Sequence, residues 1–208
     1  GPTDGGDFGP ETPGTRTSGF QGAINFAVAN KKDIFVVGGG RKEWVRIGEG
    51  TYFDGAFKTT AGPVRHWLDT TLYIPPAENF RIVGGSYCVE WRSVVPVALV
   101  IDSQRNFEFA SDQLSVHLYR SVPEEGAIVK IKPQNPLPDG TIGFTNSTFN
   151  AVGVIGGGTV IPSLTGAKDG TGIALLLDGS EGPIAFNKFH ITEINACHEG
   201  LVLEKGDI

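Results

Sequence analysis

The feature that most constrains this chain is a short unit that repeats between Gly172 and Ile208. An apolar, strand-like run ends at an acidic residue, a glycine-containing corner follows, and a new strand-like run begins. Ile173–Leu177 ends at Asp178-Gly179 in this way, and Gly200–Leu203 ends at Glu204-Lys205-Gly206. A single unit of this kind cannot bury its own apolar face, so copies stack on one another. The pattern predicts a parallel β-solenoid.

The same unit recurs upstream at similar spacing. Strand-like runs that end at Ile74 and Ile101 are 27 positions apart, and both are followed by a second run that begins Asn-Phe. Another run ends 30 positions later at Ile131, and the runs ending at Leu177 and Leu203 are 26 apart. The 46 positions between Ile131 and Leu177 hold either two short coils or one coil with a loop. This period favours an all-β parallel β-helix over leucine-rich repeats, whose Leu/Asn signature is missing.

Composition supports this fold class and excludes several functions. The 208 residues include 30 Gly and 13 Pro, which is typical of β-structure with many tight corners. The net charge of −6 argues against a nucleic-acid partner, which usually needs a basic surface. No apolar run approaches the roughly 20 residues that span a bilayer, and no signal peptide is present, so no membrane partner is predicted. Cys88 and Cys197 are predicted to be buried thiols, because two cysteines exclude a disulfide scaffold.

The N-terminal part predicts a different element. Residues 1–17 are expected to be an irregular lead-in, and residues 18–208 a single domain. An amphipathic helix with Thr17 or Ser18 as its N-cap is predicted to cover the first coil. Its apolar face has helical spacing and consists of Phe20, Ala23, Ile24, Ala27 and Val28. The missing Met, the Gly1-Pro2 start and the repeat that stops at Ile208 predict a piece of a longer protein with further coils.

Two segments near the N-terminus carry a resemblance to a known family. Asp7-Phe8-Gly9-Pro10-Glu11-Thr12-Pro13-Gly14-Thr15, followed by Thr17–Asn25, resembles the entry of pectate-lyase-superfamily proteins. The resemblance implies a single-stranded, right-handed parallel β-helix behind an N-terminal capping helix. It also implies activity on polysaccharides, since the superfamily contains lyases, hydrolases, epimerases and phage tail spikes that recognise or cleave surface glycans.

The chain departs from that family where catalysis is concerned. The paired-Asp and His-Gly signatures of polygalacturonase-like hydrolases are absent, and Cys197-His198-Glu199-Gly200 is not their histidine motif. The Asp-His element of calcium-dependent pectate lyases is missing as well. No catalytic residue is therefore transferred from the family by position.

Candidate catalytic residues come instead from the corners. If the coils stack, Pro75, Asp102, Lys132, Asp178 and Glu204 occupy equivalent positions about 4.8 Å apart. Asp178 and Glu204 would then be neighbours, and two like charges at that distance raise the pKa of one carboxyl, as an acid/base pair requires. A separation of about 5–5.5 Å would suit a retaining glycosidase, and a wider separation an inverting one. The structural alternative is that both are ordinary turn residues bound to local backbone.

Further candidates surround this pair. His198 with Glu193 could act as a base and its orienting partner, or bind a metal, but the spacing fits no tight metal motif and no metal or cofactor is predicted. Asp102, Lys132 and Glu193 are candidate substrate-binding residues, the first two on the same corners. Trp91 would stack on a sugar ring if exposed, and belongs to the core otherwise.

The sequence thus predicts an extracellular or surface-displayed β-helix protein that binds, and possibly cleaves, an extended polysaccharide by lyase or hydrolase chemistry. The alternative is a non-catalytic spike or fibre segment that forms oligomers. In that role a homotrimer, or stacking through the last coil, is expected.

Overall fold

The computed structural model describes residues 8–9, 12–17, 19–36, 43–46, 52–55, 64–84, 87–93, 95–110, 114–120, 126–157, 172–195, 197 and 199–205. In some strands only the backbone is described. These residues form one helix, α1 (Phe20–Ala29), and nineteen strands. The first ten strands are β1 (Ile34–Val36), β2 (Glu43–Arg46), β3 (Tyr52–Gly55), β4 (Val64–Leu68), β5 (Leu72–Ile74), β6 (Ala77–Glu78), β7 (Arg81–Gly84), β8 (Tyr87–Ser93), β9 (Leu99–Ile101) and β10 (Gln104–Arg105). The other nine are β11 (Glu108–Phe109), β12 (Leu114–Arg120), β13 (Ala127–Ile131), β14 (Phe144–Thr145), β15 (Thr148–Gly157), β16 (Ile173–Asp178), β17 (Ile184–Ala185), β18 (Lys188–Asn195) and β19 (Glu199–Glu204).

Three parallel sheets contain all of these strands except the antiparallel pair β2–β3. The first sheet has the order β19-β16-β13-β9-β5, and the second has the order β17-β14-β10-β6. The third has the order β1-β7-β11-β15-β12-β8-β4, with β18 also paired to β15. The expected all-β class with parallel sheets and one helix is confirmed.

The chain visits the three sheets repeatedly in the same order. It passes from the first to the second to the third sheet through β5-β6-β7, β9-β10-β11, β13-β14-β15 and β16-β17-β18, and then enters the first sheet again at β19. We call each passage a rung. The strand ends predicted from the repeat spacing share one register, namely Ile74, Ile101, Ile131, Leu177 and Leu203. Because Ile131 pairs directly with Leu177, the separation of 46 positions corresponds to one rung rather than two.

Apolar residues from all three sheets meet in one core. Stacked phenylalanines connect successive rungs, with ring centroids of Phe80 and Phe107 5.8 Å apart and those of Phe109 and Phe149 4.8 Å apart. Aromatic pairs at such distances stabilise the fold by more than the burial of their apolar area alone. The core therefore continues from rung to rung instead of being divided into separate clusters.

The helix closes the first rung as expected. Ile24 and Ala27 are buried against the core, and Phe20, Ala23 and Val28 pack beside them. The predicted N-cap is wrong, because the cap is Gly19, with φ of 82° and no side-chain cap hydrogen bond. Thr17 still accepts a hydrogen bond from the backbone N–H of Gln21 at 3.1 Å. A side chain at position 19 would also collide with the backbone of Gly9, since a Cβ there would lie 2.4 Å from Gly9 N.

The helix has no membrane-spanning character. Among the described residues, no helix combines the length and the apolar composition needed to cross a bilayer.

Candidate functional site

The corners that follow the first sheet stack in the predicted order. Strand register places Pro75, Asp102, Lys132, Asp178 and Glu204 one after another along the rungs. Asp178 is the direct register partner of Glu204, and Gly179 N donates a hydrogen bond to Glu204 O at 2.9 Å. We call these five residues the corner column.

Two lysines hold the Asp178 carboxylate from the preceding rung. Its Oδ2 lies 3.1 Å from Lys130 Nζ and 3.3 Å from Lys132 Nζ. Its Oδ1 accepts a hydrogen bond from the backbone N–H of Ser180 at 3.1 Å. The side chain is only 8% exposed, whereas both lysines are about one third exposed. Asp178 is therefore an enclosed anion with two cations at the surface above it.

These contacts favour the ionised form of the Asp178 carboxyl group. Partial burial acts to raise its pKa, but hydrogen bonds from Ser180 and the contacts with Lys130 and Lys132 outweigh burial and hold the pKa well below its usual range. The expectation that proximity to Glu204 raises the pKa is therefore wrong for Asp178. A general acid must carry a proton near working pH, so Asp178 is unsuited to that role.

The environment of Glu204 is more open than that of Asp178. Together with Asp178, Ser180 and Lys205 it lines an open depression of about 490 Å³ on the corner column. Glu204 is exposed, and Lys205 takes a left-handed backbone conformation with φ of 42°. This depression brings two carboxylates, a hydroxyl and an ammonium group to one surface.

Asp102 occupies the same column but faces inward. It is fully buried, and its carboxylate accepts hydrogen bonds from Ser103 N (2.7 Å), Gln134 N (2.8 Å), Asn135 N (3.0 Å) and Tyr73 Oη (2.5 Å). Burial acts to raise its pKa, but these hydrogen bonds lower it below the ordinary value. The interpretation of Asp102 as a substrate-binding residue is wrong, because all of its oxygen capacity is used within the protein.

Trp91 is also unavailable to a ligand. It is 1% exposed and makes edge contacts with Phe20 and Phe109, whose ring centroids lie 4.9 and 5.7 Å from its own. The condition for sugar stacking is not met, and Trp91 belongs to the core. Lys132, by contrast, reaches the site through its ion pair with Asp178.

The second predicted cluster lies largely outside the described residues. His198 is not among them, and for Glu193 only the backbone is described, in β18 opposite Val154 of β15. In the part of the chain that the structure describes, no group of three or more His, Cys, Asp or Glu side chains is placed to hold a metal.

Sequence reasoning missed Lys130 and Ser180. The sequence Lys130-Ile131-Lys132 contained the evidence for these contacts. Side chains alternate between the two faces of a strand, so Lys130 lies on the outer face one rung before Asp178. A cation on the rung preceding an acid is the pattern that would have identified the pair.

Comparison with known proteins gives no further assignment. No protein-family model, no curated protein and no solved structure matches this chain.

Proposed function

We propose that this chain is an extracellular or surface-displayed right-handed parallel β-helix that binds an extended polysaccharide along the corner column. The observation that carries the proposal is the lysine-held carboxylate of Asp178 beside the open depression lined by Glu204 and Lys205. The depression is open and is lined by charged residues and one serine, which suits a ligand rich in hydroxyl groups. A drug-sized ligand, in contrast, is usually enclosed in a mostly apolar pocket.

The finer description of the fold is part of the proposal. Connections between parallel strands of one sheet are right-handed in nearly all proteins, which supports a right-handed winding of the three sheets. The resemblance of the N-terminal segments to pectate-lyase-superfamily proteins supports the same winding, and polysaccharide as the ligand class by analogy.

The surroundings of Asp178 favour a binding role for this site over cleavage catalysed by Asp178 and Glu204. Glycoside hydrolysis needs one protonated carboxyl and one carboxylate. Asp178 is held ionised by three donors, and the same donors occupy the lone pairs that a nucleophile would use. Glu204, and His198 six positions before it in the sequence, remain candidates for a separate catalytic role.

The test is a panel of immobilised and soluble glycans assayed for binding, for absorbance at 235 nm and for new reducing ends. Glu204→Gln is expected to weaken binding about tenfold, as loss of one charge-assisted hydrogen bond does. Glu199→Gln makes the same change on the same strand outside the depression and should leave affinity unchanged. Absence of binding to every glycan contradicts the proposal, and product at 235 nm or new reducing ends would establish cleavage.

A structural, self-associating role is the second candidate, and one observation favours it. Leu201 and Leu203 are 51% and 49% exposed, although their register partners Leu175 and Leu177 are buried in the core. Ile194 in β18 is exposed as well. Sedimentation at several concentrations tests this role: a concentration-dependent trimer or stacked species that Leu201→Ser abolishes would favour it over glycan binding.

A further inference from the structure

A second row of corners lies between the second and third sheets. The strand partners Glu78, Arg105, Thr145 and Ala185 are stacked in register, so the residues that follow them are stacked too. These are Asn79, Asn106, Asn146 and Phe186, which we call the corner ridge. All four have left-handed backbone, with φ of 55°, 55°, 50° and 59°.

Phe186 is the exception on this ridge. Among residues other than glycine, asparagine tolerates left-handed backbone well, whereas a bulky side chain there is an outlier. The Phe186 side chain is 86% exposed, so no burial compensates for the unfavourable conformation. Neither backbone preference nor packing accounts for a phenylalanine at this position. A residue held in a sparsely populated conformation without structural benefit is a candidate for function.

The neighbouring residue does have a structural role. Asn187 Oδ1 accepts a hydrogen bond from Ser147 N at 2.9 Å, and its Nδ2 donates to Phe144 O at 2.7 Å. These bonds explain why an asparagine stands at position 187. They leave the exposed ring of Phe186 unexplained.

Two amides of the ridge are fixed in place, two and three rungs before Phe186. Asn106 Nδ2 donates to Asn79 Oδ1 at 3.0 Å, which orients both amides. Arg105, which precedes Asn106, is held by Glu78 at 2.7 Å, by Asp139 at 2.8 Å and by Thr141 Oγ1 at 2.7 Å. The ridge therefore carries two preorganised amides, with Asn146 between them and the ring of Phe186.

We infer that the corner ridge binds an uncharged stretch of the polysaccharide, with the face of one sugar ring packed on Phe186 and hydroxyls bonded to the amides of Asn146 and Asn106. This inference rests on the proposed function and adds a contact surface and a ligand class to it. A sugar ring has an apolar C–H face that suits an aromatic ring and an edge of hydroxyls that suits amides. The rungs advance by about 4.8 Å, so one extended chain running along the ridge meets successive amides.

The charges that flank the corner ridge favour an uncharged ligand. One flanking column carries Glu78 and Arg105, and the other carries Arg81, Glu108 and Lys188. Arg81 is itself paired with Asp33. Charges of both signs alternate, so the ridge presents no field of a single sign. A polyanion such as nucleic acid or an acidic glycan would need an excess of cations.

The decisive variant is Phe186→Asn, which gives the fourth corner the residue of the other three. It should fold at least as stably as the wild type, because asparagine suits the backbone and an exposed ring is removed. Affinity for a soluble uncharged glycan, with mixed-linkage β-glucan, xylan and galactomannan as probes, should fall at least tenfold. Phe35→Thr is the control, since Phe35 is 65% exposed in β1, which lies four strands from β18 in the third sheet, and its loss should not change affinity.

The outcomes separate this inference from the proposed function. Wild-type binding that Glu204→Gln weakens and Phe186→Asn leaves intact would overturn the ridge and keep the polysaccharide proposal. Binding only to polygalacturonate would likewise overturn the ridge, because it excludes an uncharged ligand. No binding to any glycan would overturn both.

Discussion

The side-chain amide of Gln21 binds both backbone polar groups of Tyr73. Gln21 Nε2 donates to Tyr73 O at 2.8 Å, and Gln21 Oε1 accepts from Tyr73 N at 2.8 Å. Tyr73 lies in β5, the edge strand of the first sheet, and Gln21 lies on α1. One glutamine thus supplies the donor and the acceptor that a neighbouring strand would supply, and the helix covers an edge that would otherwise recruit another chain.

Gln21→Ala should therefore weaken both stability and solubility. It leaves the N–H and C=O of Tyr73 without partners, at a cost of about 2 kcal/mol in the free energy of unfolding. Denaturant unfolding measures this loss, and light scattering should detect self-association through the uncovered edge. Asn25→Ala is the control, because Asn25 receives only an exposed hydrogen bond from Gln21 and should change stability by less than about 0.5 kcal/mol. Equal stability of Gln21→Ala and the wild type would contradict the edge-covering role.

Asp102 should be among the most sensitive positions of the chain. Asp102→Ala removes the acceptor for Ser103, Gln134 and Asn135 N–H groups in a buried setting, so unfolding free energy should fall by about 3 kcal/mol. Tyr73→Phe removes a single donor and should cost about 1 kcal/mol. If the two variants lose the same stability, the backbone bonds are not what Asp102 contributes.

Stability should also depend on pH through Asp102. Its pKa in the folded protein is lower than in the unfolded chain, so its contribution is present above the unfolded value of about 3.9 and is lost as pH falls toward the folded value. The stability difference between wild type and Asp102→Asn should be constant from pH 7 to about 5 and shrink on further acidification. A difference that grows in acid would mean that the folded pKa is raised.

The hydroxyl group of Tyr73 should ionise at a higher pH than that of an ordinary tyrosine. Burial and the hydrogen bond to Asp102 raise the pKa of Tyr73 to about 12, because ionisation would bring a phenolate beside a carboxylate. The stability contribution of neutral Tyr73 is present below its unfolded pKa of about 10 and is lost as pH rises through 12. Ultraviolet titration of wild type minus Tyr73→Phe should show this late ionisation, and Asp102→Asn should shift it to lower pH. A midpoint near 10 in the folded protein would contradict the contact.

The stacking of the corner column was predictable because strand ends repeat at regular spacing and parallel strands align their ends. The different surroundings of Asp102 and Asp178 were harder to predict, because both acids follow an apolar strand and only Lys130-Ile131-Lys132 on the preceding rung distinguishes Asp178. Asp102 is enclosed because the next rung folds Gln134 and Asn135 over it, whereas Asp178 meets two lysines from the rung before. These partners are 32 or more positions away, so the register of the rungs determines which of them meets each acid.

The position of Phe186 was also difficult to predict from the sequence alone. Asparagine occupies the corner at Asn79, Asn106 and Asn146, so aligning asparagines alone would place Asn187 at the next corner. Register instead places Phe186 at the left-handed corner, because Ala185 pairs with Thr145. Asn187 then lies one position further along, where its side chain binds the backbone of the previous rung.

Asp178 should stabilise the fold as a counterion, whether or not it contacts a ligand. Asp178→Asn leaves Lys130 and Lys132, both within 3.3 Å of one carboxylate oxygen, to repel each other. We expect the free energy of unfolding to fall by about 2 kcal/mol, the value typical of hydrogen bonds to a charged group. Part of that loss should disappear in 1 M salt, where the screening length falls to about 3 Å, and part should be recovered in Asp178→Asn/Lys132→Gln. Glu181→Gln changes an exposed acid in the same corner and should alter stability by less than about 0.5 kcal/mol. If Asp178→Asn is as stable as this control at low salt, the two lysines do not depend on Asp178, and the charge arrangement proposed for the corner column is wrong.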